Sequence, residues 1–213
     1  MIDRGIVKNK YRLIPGSGVN VDYFSLLPYP ESSTMHFAFI SRIMKEKGIE
    51  QYLEAAVFIR RKYPNTVFHV CGYCEDNYKK TLEKLERDGI IVWHGCVRDV
   101  REIHKVSSCT IHPTYYPEGL SNVLLESLAC GRPIITTDRS GCKEVVDDGI
   151  NGFITRQRDS DDLIKQIEKF IHLPNDKRRE MGINGRKKVV ECFDKKIVVN
   201  EYLKAISIIG EKE

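Results

Sequence analysis

The chain has no run of eighteen or more apolar residues, so no stretch reads as a bilayer-spanning helix. It opens Met1-Ile2-Asp3-Arg4-Gly5 without the apolar core of a secretory leader, and the expectation is a cytoplasmic protein, with a peripheral place at the inner face of a membrane left open. It lacks an excess of one charge: 34 Lys and Arg stand against 30 Asp and Glu, and a formal +4 is too mild to call for nucleic acid. Seven cysteines, an odd number at irregular spacing, argue against a disulfide framework and read as reduced core residues. Cys71 and Cys74 form a C-x-x-C with no second pair at zinc spacing, so no metal site is read. No G-x-G-x-x-G follows the first convincing strand, which sets a dehydrogenase aside. No nucleophile stands at a recognisable spacing from His112, whose place beside Pro113 at a strand end reads as structural. Internal repeats and low-complexity tracts are absent too.

What is present is 213 residues with 41% hydrophobic and 30% charged content, enough for one sizeable core. Apolar runs at 36–41, 66–71, 90–94, 108–112, 133–137 and 151–155 read as strands. Helical patterns fall between and after them: from Ile49, where Tyr52, Leu53, Ala56 and Tyr63 extend an apolar face, then 77–87, 100–106, 159–173, 176–192 and 194–209. A capped helix start is also expected at 140–145. This alternation predicts an α/β domain built on a single Rossmann-like, doubly wound parallel sheet of about six strands with flanking helices. The clusters Lys177-Arg178-Arg179 and Arg186-Lys187-Lys188 read as a solvated helix face.

The fourth strand runs into Pro117-Glu118-Gly119-Leu120-Ser121-Asn122, a turn that opens a helix of roughly three turns ending at Gly131 with Pro133 beyond. Leu124 and Leu128 share an apolar stripe while Asn122 and Glu126 share another face. The first-turn amides offered by Leu120, Ser121 and Asn122 suit an anion. Taken alone, Glu118 and Glu126 are equally readable as a dipole offset and a surface charge. After the first strand, Arg42 can fork onto two oxygens and Lys47 adds a compact charge. A strand, a loop with two cations and a helix is a diphosphate-binding layout, although both residues are also readable as surface bases.

The spacing Glu118-x7-Glu126 followed by Ser127-Leu128-Ala129-Cys130-Gly131-Arg132-Pro133-Ile134 resembles the signature of the retaining family-4 glycosyltransferases of GT-B fold. Three further stretches are similar to that family's motifs. Arg42-x4-Lys47-Gly48 matches its G-R-L-x-x-x-K-G, with Ser41 in place of the leading glycine; residues 140–145 match G-G-x-x-E-x-V; and residues 10–24 match the I-P-N-G-V-D crossover, with Gly16-Ser17-Gly18 replacing Asn-Gly as in bacterial polysaccharide and lipid-linked oligosaccharide transferases. The resemblance implies a donor domain that takes a nucleotide diphosphate sugar, UDP-linked by the family's habit, and no cofactor. It assigns Arg42, Lys47 and Glu118 to catalysis. It assigns Gly18, Val97, Gly119, Leu120, Ser121, Asn122 and Glu126 to the donor, with Val97 presenting main chain to the base and Glu126 binding the ribose. It also implies that residues 1–20 end an acceptor domain, 21–192 form the donor domain, and 193–213 form a helix crossing back to an N-terminal acceptor domain missing from these residues. The acceptor would be a glycan or lipid-linked sugar. The rivals are a GT-B-type UDP-sugar epimerase and a non-catalytic nucleotide-binding or interaction domain.

Overall fold

In the computed structural model, residues 14, 16–74, 76–117 and 119–210 are described. Six strands form one sheet: β1 Met35–Ile40, β2 Thr66–Cys71, β3 Ile91–Gly95, β4 Cys109–His112, β5 Ile134–Thr137 and β6 Gly152–Thr155. Their order is β3-β2-β1-β4-β5-β6 and every pairing is parallel. The helices are α1 Ile49–Lys62, α2 Asp76–Arg87, α3 Arg101–Val106, α4 Asn122–Ala129, α5 Ser160–Ile171, α6 Asn175–Cys192 and α7 Lys195–Gly210. The expected doubly wound sheet is therefore present, with strand bounds within a residue or so of those read from the apolar runs.

Parallel strands buried on both faces need apolar side chains in both directions. On one face Phe37, Phe39, Phe68 and Val70 pack against Tyr52, Ala56 and Ile59 of α1, Leu82 of α2 and Phe170 of α5. Each such side chain contributes on the order of 2 kcal/mol by leaving water. The Tyr52 hydroxyl is buried between β1 and β2, where it lies 3.0 Å from the Phe37 carbonyl and 2.8 Å from that of His69. On the other face Ile134 meets Leu124, Leu125 and Leu128 of α4 and Val189 of α6.

Several local expectations change. The motif helix α4 has eight residues rather than three turns' worth. Residues 140–145 form successive turns rather than a helix: the Glu144 carboxylate accepts from the Gly141 amide at 2.7 Å as at a capped helix start, but Asn151 captures the Val145 carbonyl at 3.1 Å. The strand expected within residues 10–24 falls largely outside the described residues; from Gly16 onward the chain makes a turn and one bridge, Val19 to Asp194. No expectation changes for α7, where Tyr202, Leu203 and Ile206 are 56%, 55% and 63% exposed and the apolar side is uncovered among the described residues.

Arg186 departs furthest from a solvated base. Its guanidinium donates to the carbonyls of Phe24 (2.7 Å), Ala129 (2.8 Å) and Val21 (3.0 Å), strapping the incoming segment to the end of α4. Arg132, fully buried, does the same from the other side: it donates to His104 and Pro28 carbonyls at 2.7 Å each and to Leu27 at 3.3 Å. Desolvation pushes its pKa down to about 10, which leaves it charged at neutral pH, solvated by main-chain oxygens in place of water.

Three adjacent strands each contribute a histidine to a ladder. His36 Nδ1 lies 2.9 Å from His69 Nε2, and His69 Nδ1 lies 2.9 Å from His94 Nε2. Each rung holds one proton, so an unbroken ladder of three rings carries at most one net charge, and a second added proton must break a rung. Burial lowers all three pKa values, that of His69 to about 4. A histidine whose folded pKa lies below the unfolded value of about 6.5 supports the fold above that pH and loses its contribution as pH falls toward the folded value. The His69 contribution, read in chemical denaturation as the difference between the parent and His69→Asn, should therefore be flat above pH 6.5 and fall by on the order of 2 kcal/mol toward pH 4. The variant's own stability should fall less steeply than the parent's; equal slopes for the two proteins would remove the ladder from the account.

Candidate functional site

In a sheet of this order the direction in which successive strands are added reverses between β1 and β4, and the loops leaving their carboxyl ends part to form a crevice. After β1, the chain passes Arg42, makes a 3₁₀ turn over Lys45–Lys47, and closes it at Gly48. Gly48 has φ +79°, and a Cβ there would stand 2.2 Å from the Pro113 carbonyl oxygen, so only glycine lets the β4 exit come this close. The β4 exit then grips the turn. The Glu46 carbonyl accepts from the amides of Tyr115 (2.9 Å) and Tyr116 (3.0 Å) and from the Thr114 hydroxyl (3.2 Å). Thr137, at the end of β5, donates to the Thr114 carbonyl at 2.6 Å and fixes the grip to the sheet.

This arrangement brings the two expected cations to the motif loop. The Tyr116 ring centre lies 4.7 Å from Lys47 Nζ and 5.8 Å from the Arg42 guanidinium carbon. Lys47 is only 8% exposed, whereas Arg42 is open to solvent. Glu118, two residues beyond Tyr116, lies outside the described residues. Gly119 is exposed, with nothing within 4 Å of where a Cβ would stand. Leu120 packs under Gly16, and the Asn122 Oδ1 accepts from the Ser17 hydroxyl at 3.1 Å.

The start of α4 differs from expectation in one respect. The Ser121 amide, expected to face an anion, donates to the Gly141 carbonyl at 2.9 Å. The outward amides of the helix start are those of Asn122, Val123 and Leu124, which helix geometry leaves without an intrahelical acceptor. Gly18 meets a structural constraint of its own. A Cβ there would meet Phe193 O and Lys195 Cα at 2.9 Å each, so its glycine answers to the junction of α6 and α7; Gly16 and Ser17 are the members of that tripeptide that touch α4. Val97 is half-buried after β3 and packs in one cluster with Val100 and Val123, beside the first turn of α4. Glu126 shares the helix face of Asn122 and is half-buried; desolvation pushes its pKa up to about 7.

Sequence reasoning missed Thr114, Tyr115, Tyr116 and Arg158. Arg158, leaving β6, is a non-glycine residue at φ +58°, and its guanidinium carbon stands 4.4 Å from the Tyr115 ring centre. Two consecutive tyrosines after a strand were the visible signal, but their partners come from loops remote in the chain. Chemically, two cations and a helix start on one side of the crevice suit an oxyanion, and a desolvated carboxylate on the next helix turn suits a pair of hydroxyl donors. The crevice is a shelf open to solvent at Arg42, Gly119 and Asn122, and a groove lined by Phe153, Leu173 and Met181 lies elsewhere.

Comparison with known proteins agrees with the motif resemblance. Residues 31–188 match the family model described as glycosyl transferases group 1. EpsD of Bacillus subtilis strain 168 is 30% identical over 154 residues, covering 71% of this chain and 40% of EpsD. The capsular polysaccharide biosynthesis glycosyltransferase CapM of Staphylococcus aureus is 30% identical over 170 residues, covering 76% of this chain and 43% of CapM. The crystal structure of Anabaena HepE in complex with UDP shares the fold, with a TM-score of 0.77 at 18% identity over 89% of this chain and 56% of HepE. The chain thus spans about half the length of the relatives it matches.

The raised pKa of Glu126 yields a test in the absence of ligand. A carboxyl whose folded pKa lies above its unfolded value costs nothing below pH 4.5 and destabilises progressively as pH rises to about 7. Glu126→Gln should therefore be more stable than the parent at pH 8 by on the order of 2 kcal/mol, allowing for partial exposure. The gap should close below pH 4.5 in denaturant titrations. A variant less stable than the parent at pH 8 would mean that the carboxylate is satisfied rather than stranded.

Proposed function

Because this chain belongs to the group 1 glycosyl transferases, we propose that its crevice holds a UDP-linked sugar and that the whole protein passes the sugar, with retention, to an acceptor hydroxyl in bacterial polysaccharide or lipid-linked glycan synthesis. The observation that carries this is the convergence of Arg42 and Lys47 on Tyr116, in the loop that leads to α4. The HepE structure with UDP and the relatedness to CapM support the donor and the pathway class.

In this reading the diphosphate lies between the two cations and the outward amides of Asn122, Val123 and Leu124. Transfer breaks the bond from the sugar's anomeric carbon to the diphosphate oxygen and leaves negative charge on that oxygen. Cations and oriented amides already aimed there stabilise the charge as it develops, without reorganising. The new bond forms from the acceptor oxygen to the same carbon, and the acceptor's proton passes to the departing phosphate. Glu126 receives the ribose hydroxyls and Glu118 the sugar hydroxyls, so neither carboxylate is a nucleophile, unlike the flanking acid pair of a glycosidase. The acceptor would be held by a second domain that faces the open shelf, so these residues alone bind donor and transfer nothing.

Calorimetric titration of UDP into this chain should show binding that weakens by about tenfold or more in Arg42→Ala and in Lys47→Ala, the loss expected of a charge-assisted contact. Unchanged affinity in both variants would favour a non-catalytic interaction domain. Incubation with UDP-N-acetylglucosamine and no acceptor should leave the sugar unaltered; an epimerised product would identify the rival enzyme. Sugar transfer by the isolated chain at about one turnover per second or faster would refute the need for a second domain. Affinity for a UDP-sugar, whose diphosphate does not titrate near neutrality, should rise severalfold from pH 6 to pH 8 as Glu126 ionises, and Glu126→Gln should flatten that rise.

A further inference from the structure

Two like charges brought to one place repel, and a long side chain such as lysine or arginine points where a ligand needs it only when its surroundings hold it there. In this crevice both are gathered by a single aromatic ring. Tyr116 stands 4.7 Å from the Lys47 ammonium and 5.8 Å from the Arg42 guanidinium, each within the range at which a ring's quadrupole attracts a cation. The ring is itself anchored. Its residue's amide donates to the Glu46 carbonyl at 3.0 Å and lies 3.2 Å from the Thr114 hydroxyl oxygen, so main chain and ring are set by the same turn that carries Lys47. Lys47 is nearly buried, where attraction to a ring counts for more than at an exposed site.

We propose that Tyr116 is a positioning residue for the donor's diphosphate: its ring gathers Arg42 and Lys47 and presents them together, acting through the two cations rather than on the reacting atoms. The assignment rests on the reading of the crevice as a diphosphate site. What matters is the ring's charge distribution and not the phenolic hydroxyl, which separates this role from a hydrogen bond to substrate. The neighbouring pair of Tyr115 with Arg158 repeats the same device at the rim, 4.4 Å from ring centre to guanidinium carbon.

The test compares Tyr116→Leu, Tyr116→Phe and Tyr116→Trp in the full chain, with UDP, inorganic pyrophosphate and uridine as separate ligands. Leucine fills much of the space without a quadrupole, phenylalanine keeps the quadrupole without the hydroxyl, and tryptophan strengthens it. Tyr116→Leu should bind UDP and pyrophosphate about five- to tenfold more weakly, the size of one partly desolvated cation–π contact, with uridine affinity unchanged. Tyr116→Phe should restore the parent's affinity for all three, and Tyr116→Trp should bind UDP at least as tightly as the parent. Equal loss in Phe and Leu, equal loss of uridine, or parent-like UDP binding by Leu each overturns the assignment. If Leu does not fold, the Phe and Trp variants decide alone, and weaker UDP binding by either overturns it. Should Arg42→Ala weaken UDP while Tyr116→Leu does not, only the role of Tyr116 falls. Should the parent bind neither UDP nor pyrophosphate, the reading of the crevice falls with it.

Discussion

One main-chain oxygen, the carbonyl of Glu46, holds the crevice together. Three donors from the β4 exit converge on it, two amides and a hydroxyl, all within 3.2 Å. Loops leaving neighbouring strands at a point where the chain order reverses have no ladder to keep them in register, so their spacing must be set by contacts of this kind. Each bond contributes about 1 kcal/mol, a modest amount, yet together they fix the distance between the cation-bearing turn and the loop that opens α4. The close pass of Gly48 against Pro113 is the steric half of the same constraint: the grip forms only because no side chain stands between the two loops.

The molecule uses arginine in two opposed ways. Arg132 and Arg186 are buried or half-buried struts whose guanidinium forks are filled by main-chain carbonyls. Removing either would strand several carbonyls and release the segment 19–29 from the back of α4. Arg42 and Arg158, by contrast, lie over aromatic rings at the carboxyl edge with their forks toward solvent. The difference is one of saturation: a fork filled by carbonyls holds structure, and a fork that meets only a ring face on one side retains its donors for a ligand.

That difference also explains what could be read from the sequence. The sheet was legible because six short apolar runs separated by helical patterns leave few alternatives to a parallel, doubly wound order. The placement of Arg42 and Lys47 on one loop after β1 was legible from spacing, and that of Glu126 on the face of Asn122 from the helix period. The roles of Arg186 and Ser121 were not, because each depends on a partner remote in sequence: a basic cluster on a helix looks solvated until the segment that covers it is known, and an N-terminal amide looks open until Gly141 is found against it. Gly18 carries a constraint hidden for a related reason: a glycine announces a close approach without saying what approaches, and here the α6–α7 junction leaves no room for a Cβ.

Several local costs gather at one edge of the sheet. Within the sheet, buried hydroxyls find partners, as with Tyr52 between two strands and Thr136 on the His112 carbonyl. At the carboxyl edge a half-buried carboxylate, Glu126, is pushed toward neutrality, a non-glycine residue, Arg158, sits at positive φ, and two cations lie near one ring. Each is a local cost of the kind that persists where function demands it. In the proposed reading, a ligand carrying a diol and a diphosphate would relieve two of these together: its hydroxyls would donate to the Glu126 carboxylate, and its oxygens would offset the positive charge of Arg42 and Lys47. Binding energy at this edge would then come from relief of local cost as well as from new contacts.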